Sequence, residues 1–471
     1  TVRKAVRRAR RAQGGWARRS FAERGAILVR FHDLILERQE DILDLIQVET
    51  GKARKHAFEE VADAAMVARY YAHNAERHLT VRRRKGALPG LTATREYRHP
   101  VGVVGIIAPW NYPLSLAVTD AIPALMAGNA VVLKPDPKTS LTPLWAVELL
   151  QQAGLPFELF QVVTGGGAEL GEPLIDQVDF VSFTGSTATG RKIARQAAER
   201  LIGCSLELGG KNAMIVLADA DLDGAVEGAI RGCFANTGQL CLSIERLYVE
   251  RPLFQPFVER FVARSQELKL GSSLDFEADM GCLVSEQQLQ TVESHVRDAV
   301  EKGADVLTGG RPRPDLGPYF FEPTILENVC PGMILFDQET FGPVVSVYPF
   351  DAVEEAIEAA NDSRYGLNAS VWTADSSVGV EIARRIQAGT VNVNEAYAAA
   401  WASVDAPMGG FKDSGLGRRH GAEGILKYTE AQTVAVQRGL PLAAPPALGE
   451  EGYSRWLSRT LKLLRRIPGL R

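Results

Sequence analysis

Apolar residues along this chain alternate between a helical spacing and short continuous runs. Between residues 17 and 78 they recur every three or four positions, as at Ile27, Leu28 and Phe31, which predicts helices. This alternation of runs, loops and helical stretches predicts a doubly wound α/β sheet of buried parallel strands, which binds ligands at the carboxyl ends of its strands. The continuous runs occupy residues 101–108, 130–133, 160–163, 180–183 and 204–208.

The same alternation continues with different spacing over residues 210–412 and predicts a second α/β domain. Its apolar runs lie at 213–217, 345–348 and 391–394, and a helical stretch lies at 222–235.

Size and charge limit the possible classes of protein. A chain of 471 residues, 46% of them hydrophobic, exceeds what one core accommodates, so two or three domains are expected. A net charge of -4 gives no case for binding nucleic acid, and no apolar run is long enough to span a bilayer. The five cysteines are widely spaced and form no CxxC pair, which favours reduced thiols in the cytoplasm and no metal site.

Both ends of the chain are basic. Residues 1–30 carry ten Lys/Arg against one acidic residue, and residues 454–471 carry six basic residues and no acid. A Pro- and Ala-rich stretch at 439–452 predicts a linker to this basic tail, residues 439–471 in all. We interpret the tail as a basic amphipathic helix on the protein's own surface or on a neighbouring subunit; contact with a membrane surface is the alternative.

Cys241 follows a small polar turn, Phe234–Leu240, and precedes residues typical of a strand. Backbone N–H groups at such a junction can point at the sulfur and stabilise a thiolate, which makes Cys241 a candidate nucleophile. The alternative is a buried cysteine that acts only as a small hydrophobic side chain.

Two residues at predicted strand ends could assist a nucleophile. Glu207 lies between leucines, where desolvation would raise its pKa toward that of a general base; a satisfied structural carboxylate is the alternative. Asn111, between Trp110 and Tyr112, could donate its amide to a developing oxyanion together with the Cys241 backbone N–H, or could simply serve a turn.

Other loops at the same edge have features of nucleotide-binding sites. Gly185-Ser186 opens a helix and a second glycine-rich turn ends at Gly167, although helix capping explains the first equally well. Lys134 ends a buried strand and could bond ribose hydroxyls or phosphate. Glu339 and Phe341 stand two apart at a turn and could hold a ribose and face a flat ring, or form an ordinary turn. Together these residues suit attack on a carbonyl, hydride transfer to a nicotinamide and hydrolysis of a thioester.

The chain resembles the aldehyde dehydrogenase superfamily from about residue 15 to residue 435. The motifs that carry the resemblance stand in the family's order: Pro109–Pro113, Leu133–Pro135, Phe183–Ser186 with Gly190, Leu206–Asn212, Asn236–Cys241, Glu339–Pro343 and Gly409–Gly417.

This resemblance implies an NAD(P)-dependent enzyme that oxidises a small aldehyde to an acid. Cys241 would be the nucleophile, Asn111 the oxyanion donor and Glu207 the base that activates water. The implied cofactor, NADP or NAD, would be bound by a larger set of residues. These are Ile107, Pro109, Trp110, Lys134, Asp136, Pro137, Lys138, Gly167, Gly185, Ser186, Leu208, Glu339 and Phe341.

The resemblance also implies three structural parts and assembly into a homodimer or homotetramer. Residues 1–81 and 101–209 would form a Rossmann-type cofactor domain, and residues 210–412 an α/β catalytic domain. Residues 82–100 and 427–437 would form a small β-hairpin domain that pairs subunits. A CoA-acylating relative would lack Glu207, and a non-catalytic structural relative would not need Cys241, Glu207 and Asn111, so both alternatives are disfavoured.

Three departures bear on specificity. Pro137, followed by Lys138, stands where many NAD-preferring members carry an acid, so NADP is the preferred cofactor. Thr119-Asp120 stands where some semialdehyde-oxidising relatives have an arginine, yet the stretch from Asn394 to Gly410 resembles the NADP-type succinate-semialdehyde dehydrogenase branch. Ser243 replaces a second cysteine found in several such enzymes, so a redox switch with Cys241 is not expected.

The best substrate prediction is succinate semialdehyde, with another aliphatic or aromatic aldehyde as the alternative.

Overall fold

The computed structural model describes residues 1–87, 91–439 and 442–465. Its contacts divide the chain into two compact units. The first unit comprises Thr1–His78 and Pro100–Thr429, and the second comprises Leu79–His99 and the chain from Glu430 onward.

Six strands form the first sheet, and the five predicted apolar runs supply its parallel part. Every residue of Val103–Ile107 is buried, which explains why these strands are continuously apolar. The register aligns Ile107 with Lys134 on one side and with Phe183 on the other. The predicted strand ends therefore meet at one edge, as expected for a doubly wound sheet. In spatial order the strands are Gly415–Leu416, Gly203–Glu207, Phe180–Thr184, Val103–Ile107, Ala130–Lys134 and Phe160–Val162.

Helices of the first half of the chain accompany this sheet. The apolar stretch from residue 114 to 126 forms two short helices, divided near Thr119. Pro123 explains the break, because a proline has no N–H to donate to the carbonyl four residues earlier and its ring crowds that carbonyl. The helices are Val2–Ala17, Phe21–Glu37, Gln39–Thr50, Arg54–Leu79, Ser115–Val118, Ala121–Met126, Leu141–Gln152, Gly167–Ile175 and Thr187–Glu199, with 3-10 turns at Pro137–Thr139 and Phe157–Leu159.

A second sheet of seven strands contains the three apolar runs predicted after residue 210. Its spatial order is Asp305–Thr308, Thr324–Glu327, Val344–Phe350, Ile244–Glu250, Asn212–Val216, Asn368–Trp372 and Thr390–Val393, and only the first pair is antiparallel. Two further short strands, Tyr365–Gly366 and Phe411–Lys412, pair with each other. The helices are Leu222–Phe234, Arg251–Gln266, Glu286–Glu301, Ile334–Asp337, Val353–Asn361, Ser376–Ala383, Ala398–Ala402 and Gly421–Leu426.

The chain passes from the first sheet to the second between Glu207 and Asn212. Both sheets belong to the same compact unit, so the division into a cofactor domain (1–81 and 101–209) and a catalytic domain (210–412) stays a prediction. One strand of the first sheet comes from far downstream: Gly415–Leu416 pairs antiparallel with the strand that ends at Glu207. The residues after this strand therefore lie close to Glu207.

The second unit contains a three-stranded sheet and the tail helix. The sheet consists of Arg82–Arg84, Thr92–Pro100 and Thr429–Gln437, and the helix spans Gly449–Leu464. Parts of the predicted hairpin and tail, at residues 88–90, 440–441 and 466–471, lie outside the described residues. Among the residues that the structure describes, no helix is both long and apolar enough to cross a membrane.

Candidate active site

A cleft follows the carboxyl edge of the first sheet and reaches Cys241. It consists of two adjoining recesses, which share Pro109, Trp110, Thr184, Gly185 and Ser186. The structure thus brings the three predicted catalytic residues and all but one of the predicted cofactor residues together. The recess at Cys241 also contains Asn111, Glu207, Leu208, Glu339 and Phe341, and the other contains Ile107, Lys134, Asp136, Pro137 and Gly167.

The turn before Cys241 has an unusual backbone. Asn236 and Thr237 have positive φ angles of 49° and 59°, a conformation that costs roughly 1–3 kcal/mol for a residue other than glycine. Gly238 continues the left-handed path, and a Cβ there would lie 2.0 Å from the Gly342 carbonyl oxygen. Hydrogen bonds hold this strained turn, including one from the Gln239 amide to the Asn236 carbonyl oxygen at 3.2 Å. The sequence prediction of a specialised turn at Cys241 therefore has a structural basis.

Asn111 is held in place from both sides. Its Nδ2 donates to the Gln239 carbonyl oxygen at 3.0 Å, which ties the Asn111 loop to the turn before Cys241. An amide nitrogen has a second hydrogen, which remains for a ligand. The Asn111 carbonyl oxygen accepts a bond of 2.6 Å from Nζ of Lys52, and Lys52 forms a buried ion pair with Glu60 at 2.7 Å.

Glu60 extends this anchor along the loop, because it also accepts bonds from the backbone N–H groups of Leu114 and Ser115. Lys52 and Glu60 are almost fully buried, at 1% and 0% exposure. A buried ion pair that loses one partner leaves an uncompensated charge, so this pair strongly constrains the loop.

The loop on the other side of Cys241 is held by a second buried ion pair. Nζ of Lys211 lies 2.5 Å from Oε2 of Glu245. Glu245 in turn accepts bonds from the backbone N–H groups of Thr340 and Phe341. The ring of Phe341 packs edge to face against Trp110, with centroids 5.5 Å apart, and both residues line the recess at Cys241.

Glu207 has the environment of a tuned carboxyl group. Its side chain is 5% exposed, and its Oε1 has no hydrogen-bond partner among the described residues. Burial, as the largest cause, raises the pKa of Glu207 to about 7, although the positive charge of Arg419 acts in the opposite direction. A carboxyl group that titrates near neutral pH can both accept and return a proton, as a general base requires.

Cys241 does not ionise readily in this environment. Burial, followed by the charges of Glu339 and Glu207, raises the pKa of its thiol to about 12. Burial first, and then the charge of Glu245, raises the pKa of Glu339 to about 8. A thiol with so high a pKa needs a base to take its proton when it attacks, and Glu207 lines the same recess.

The other recess suits a dinucleotide. Gly185-Ser186 precedes the helix Thr187–Glu199, whose first N–H groups can bind phosphate. The capping alternative is also realised, since Ser186 Oγ accepts from the Thr189 N–H at 3.4 Å. A Cβ on Gly167 would meet no atom within 4 Å and would project into open space. Lys134 is 3% exposed, and burial lowers its pKa.

Lys138 is the predicted cofactor residue that does not line either recess. Its ammonium lies 3.8 Å from Oδ1 of Asp136, and its backbone N–H donates to the same oxygen at 3.0 Å. Ser243, the residue that replaces a second cysteine, is buried and donates to the carbonyl oxygens of Gly232 and Cys233.

Several residues of the site were missed by sequence reasoning. Gln288 lines the recess at Cys241 and donates to the Phe341 carbonyl oxygen at 2.8 Å, but in the sequence it belongs to an amphipathic helix with a polar face. Lys52 follows a helix break and resembles a solvated loop residue. Lys211 stands within the Leu206–Asn212 motif, and its place in this motif was the one feature of the sequence that could have marked it as a site residue.

Comparisons with known proteins agree over nearly the whole chain. The family model described as "Aldehyde dehydrogenase family" matches residues 1–434. A protein of Mycolicibacterium smegmatis named "Putative succinate-semialdehyde dehydrogenase [NADP(+)]" is 52% identical over 465 residues, which cover 99% of this chain and 90% of that protein. The mitochondrial succinate-semialdehyde dehydrogenase of Oryza sativa subsp. japonica is 37% identical over 89% of this chain and 79% of its own length.

Solved structures have the same fold. An NAD-dependent aldehyde dehydrogenase from Sinorhizobium meliloti matches with a TM-score of 0.89 and 38% identity, over 94% of this chain and 88% of that one. An NADP-dependent enzyme of E. coli matches with a TM-score of 0.88 and 36% identity, over 93% and 90% of the two chains.

The Lys52–Glu60 pair gives a prediction about how the site is held. Replacing Lys52 with methionine leaves the Glu60 carboxylate buried without its partner, so we expect the free energy of unfolding to fall by about 3–5 kcal/mol. The oxyanion donor Asn111 also loses its anchor, and kcat should fall with it. Urea denaturation and steady-state kinetics measure both effects.

Lys55→Met is the matched control, because Lys55 forms an ion pair with Asp279 while its side chain is 44% exposed. An exposed pair contributes only about 0–1 kcal/mol, so this variant should resemble the wild type. Equal effects of the two substitutions would show that the buried pair has no special role.

Proposed function

This chain belongs to the aldehyde dehydrogenase family, and on that premise we propose that it oxidises succinate semialdehyde to succinate with NADP, through a thioester on Cys241. The family membership gives an NAD(P)-dependent enzyme that acts on small aldehydes. The roles proposed for these residues rest on one observation: Cys241, Glu207 and Asn111 line the same recess.

Covalent attack begins with a proton transfer. Glu207 accepts the thiol proton of Cys241, directly or through a water molecule, and the sulfur forms a bond to the aldehyde carbon. The carbonyl π electrons move to the oxygen, which becomes an oxyanion. The second N–H of the Asn111 amide and the Cys241 backbone N–H donate to this oxygen, since donors fixed in advance stabilise the developing charge without reorganisation.

A bound nicotinamide cofactor supplies one piece of chemistry, the acceptance of a hydride from the former aldehyde carbon. Lys134, Gly167, Gly185 and Ser186 would hold such a cofactor in the cleft beside the Trp110 and Phe341 walls. With the hydride removed, Cys241 carries a thioester. Glu207 gives the thiol proton to solvent and is ionised again. It then takes a proton from water, whose oxygen attacks the acyl carbon, and the C–S bond breaks. The departing sulfur takes up this proton from Glu207, which releases the acid and the Cys241 thiol.

The substrate assignment rests on relatives. Proteins named succinate-semialdehyde dehydrogenases match at 52% and 37% identity. One structural observation favours the second candidate, an apolar aldehyde. Cys241 packs against a buried apolar cluster, whose members include Tyr112, Leu116, Tyr397 and Met408.

A panel of aldehydes at fixed NADP decides between these candidates. We expect the highest kcat/KM with succinate semialdehyde. A value for propanal or benzaldehyde at least tenfold higher would contradict the assignment and favour the apolar alternative. Cys241→Ala should be inactive with every aldehyde, which excludes a contaminating activity.

The cofactor assignment predicts that NADP is used at least as well as NAD. Pro137 cannot repel a 2′-phosphate as an acid would, and the nearby Lys138 ammonium can attract it. Lys138→Ala should lower kcat/KM with NADP roughly tenfold, since a hydrogen bond to a charged group contributes on the order of 1.5 kcal/mol. The rate with NAD, measured on the same variant, is the control and should not change; strict preference of the wild type for NAD would overturn the assignment.

We also propose that the protein is a homodimer or homotetramer in the cytoplasm. Its five cysteines are unpaired, which suits a reducing compartment. The strand Thr429–Gln437 lies at the edge of its sheet with eight exposed residues, and such an edge can pair with another chain. Light scattering should give the mass of two or four chains, whereas the mass of a single chain would contradict the proposal.

A further inference from the structure

A group of buried charges behind Glu207 takes no part in the mechanism described so far. Asp120, Arg419 and Lys427 come from three separate places in the chain and are 2%, 4% and about one-tenth exposed. Asp120 precedes the helix Ala121–Met126, Arg419 follows the strand Gly415–Leu416, and Lys427 ends the helix Gly421–Leu426. Charges are costly to bury, so their presence calls for a role.

These side chains share Asp120 as their centre. Nε of Arg419 and Nζ of Lys427 each lie 3.4 Å from Oδ1 of Asp120. Arg419 Nη2 also donates to the Thr119 hydroxyl at 2.5 Å, and Lys427 donates to the Ser205 hydroxyl at 3.1 Å. Two cations therefore contact one carboxylate.

The group is joined to Glu207 through the backbone. Ser205 lies two residues before Glu207 on the same strand, so the two side chains point to the same face of the sheet. The strand before Arg419 pairs with this strand and aligns Gly415 with Glu207. A Cβ on Gly409 would lie 3.1 Å from Glu207 Oε1, so the carboxyl group rests on the backbone beside Met408, which pairs with Arg419.

The other charged groups near Glu207 do not take the place of the group formed by Asp120, Arg419 and Lys427. Arg418 donates to the carbonyl oxygens of Gly410 and Gly417 and is partly exposed. His420 is buried, and burial lowers its pKa to about 3, so it is neutral. Asp63 bonds the Ser115 hydroxyl, and burial raises its pKa to about 6. Arg419 and Lys427 are thus the buried cations whose charges act on Glu207, with Asp120 as their counter-ion.

Given the proposed role of Glu207, we propose that Arg419 is a positioning residue that keeps this buried base ionised, and that Asp120 limits its effect. Burial alone would favour the protonated carboxyl group, which can accept neither the thiol proton nor a proton from water. The positive charge of the Arg419 guanidinium favours the ionised form of Glu207 and so opposes the effect of burial. It does this without a hydrogen bond that would fix the carboxylate in place. Asp120 keeps Arg419 from stabilising the carboxylate so strongly that it would no longer act as a base.

This arrangement predicts opposite changes from two neighbouring substitutions. Arg419→Met removes a positive charge, so the acid limb of the kcat profile should move about one unit to higher pH. Asp120→Asn removes a negative charge of almost the same shape, so the limb should move to lower pH by a similar amount. When activity at pH 6.5 is expressed as a fraction of each protein's own plateau, this fraction should be roughly tenfold lower in Arg419→Met than in the wild type, and higher in Asp120→Asn.

Arg419→Lys is the conservative control and should keep the wild-type limb. If Arg419→Met does not fold, Asp120→Asn decides alone, and an unmoved limb or one at higher pH overturns the inference. Loss of activity in both variants at every pH, without a shift, would mean that the pair is only structural. A wild type that lacks an acid limb, or keeps it in Glu207→Gln, would instead refute the role of Glu207 itself.

Discussion

Two buried lysine–glutamate pairs fix the loops on either side of Cys241. Lys52–Glu60 holds the backbone of the loop that carries Asn111, and Lys211–Glu245 holds the backbone of the loop that carries Phe341. Each glutamate accepts backbone N–H groups as well as the ammonium, so neither loop can move without exposing a buried charge. The oxyanion donor and the aromatic wall consequently have fixed positions before any ligand arrives.

The carboxyl groups around Cys241 oppose ionisation of the thiol that has to attack the substrate. Burial first, and then the charges of Glu339 and Glu207, raise the pKa of the Cys241 thiol to about 12. The same burial brings the pKa of Glu207 to about 7, and a base is thereby available where the thiol needs one. The environment that suppresses the thiolate thus also makes Glu207 a stronger base, which can take the proton as the sulfur attacks.

Sequence reasoning reached the parts of the protein that are local in the chain. Continuous apolar runs predicted the five parallel strands, and strand ends predicted that Asn111, Glu207 and Lys134 lie along one edge. It did not reach features made by distant partners: Lys52 contacts a carbonyl 59 residues away, and Arg419 contacts a threonine 300 residues away. Nothing in the spacing around Lys52 distinguishes it from a solvated lysine, and Arg419 lies in a glycine-rich stretch that resembles an exposed loop. Pro123 explains why the helix is divided near Thr119, but the apolar pattern continues on both sides of the division and gave no sign of it.

The central claim is that Cys241 carries the acyl group and that Glu207 is needed to release it. The direct measurement is intact-protein and peptide mass spectrometry of Glu207→Gln, quenched after mixing with substrate aldehyde and NADP. Because Glu207 also takes the thiol proton, we expect one NADPH per active site to form more slowly than in the wild type. A stable acyl adduct should then remain on the peptide that contains Cys241. An adduct on another residue, or continued turnover at the wild-type rate without any adduct, would contradict this account.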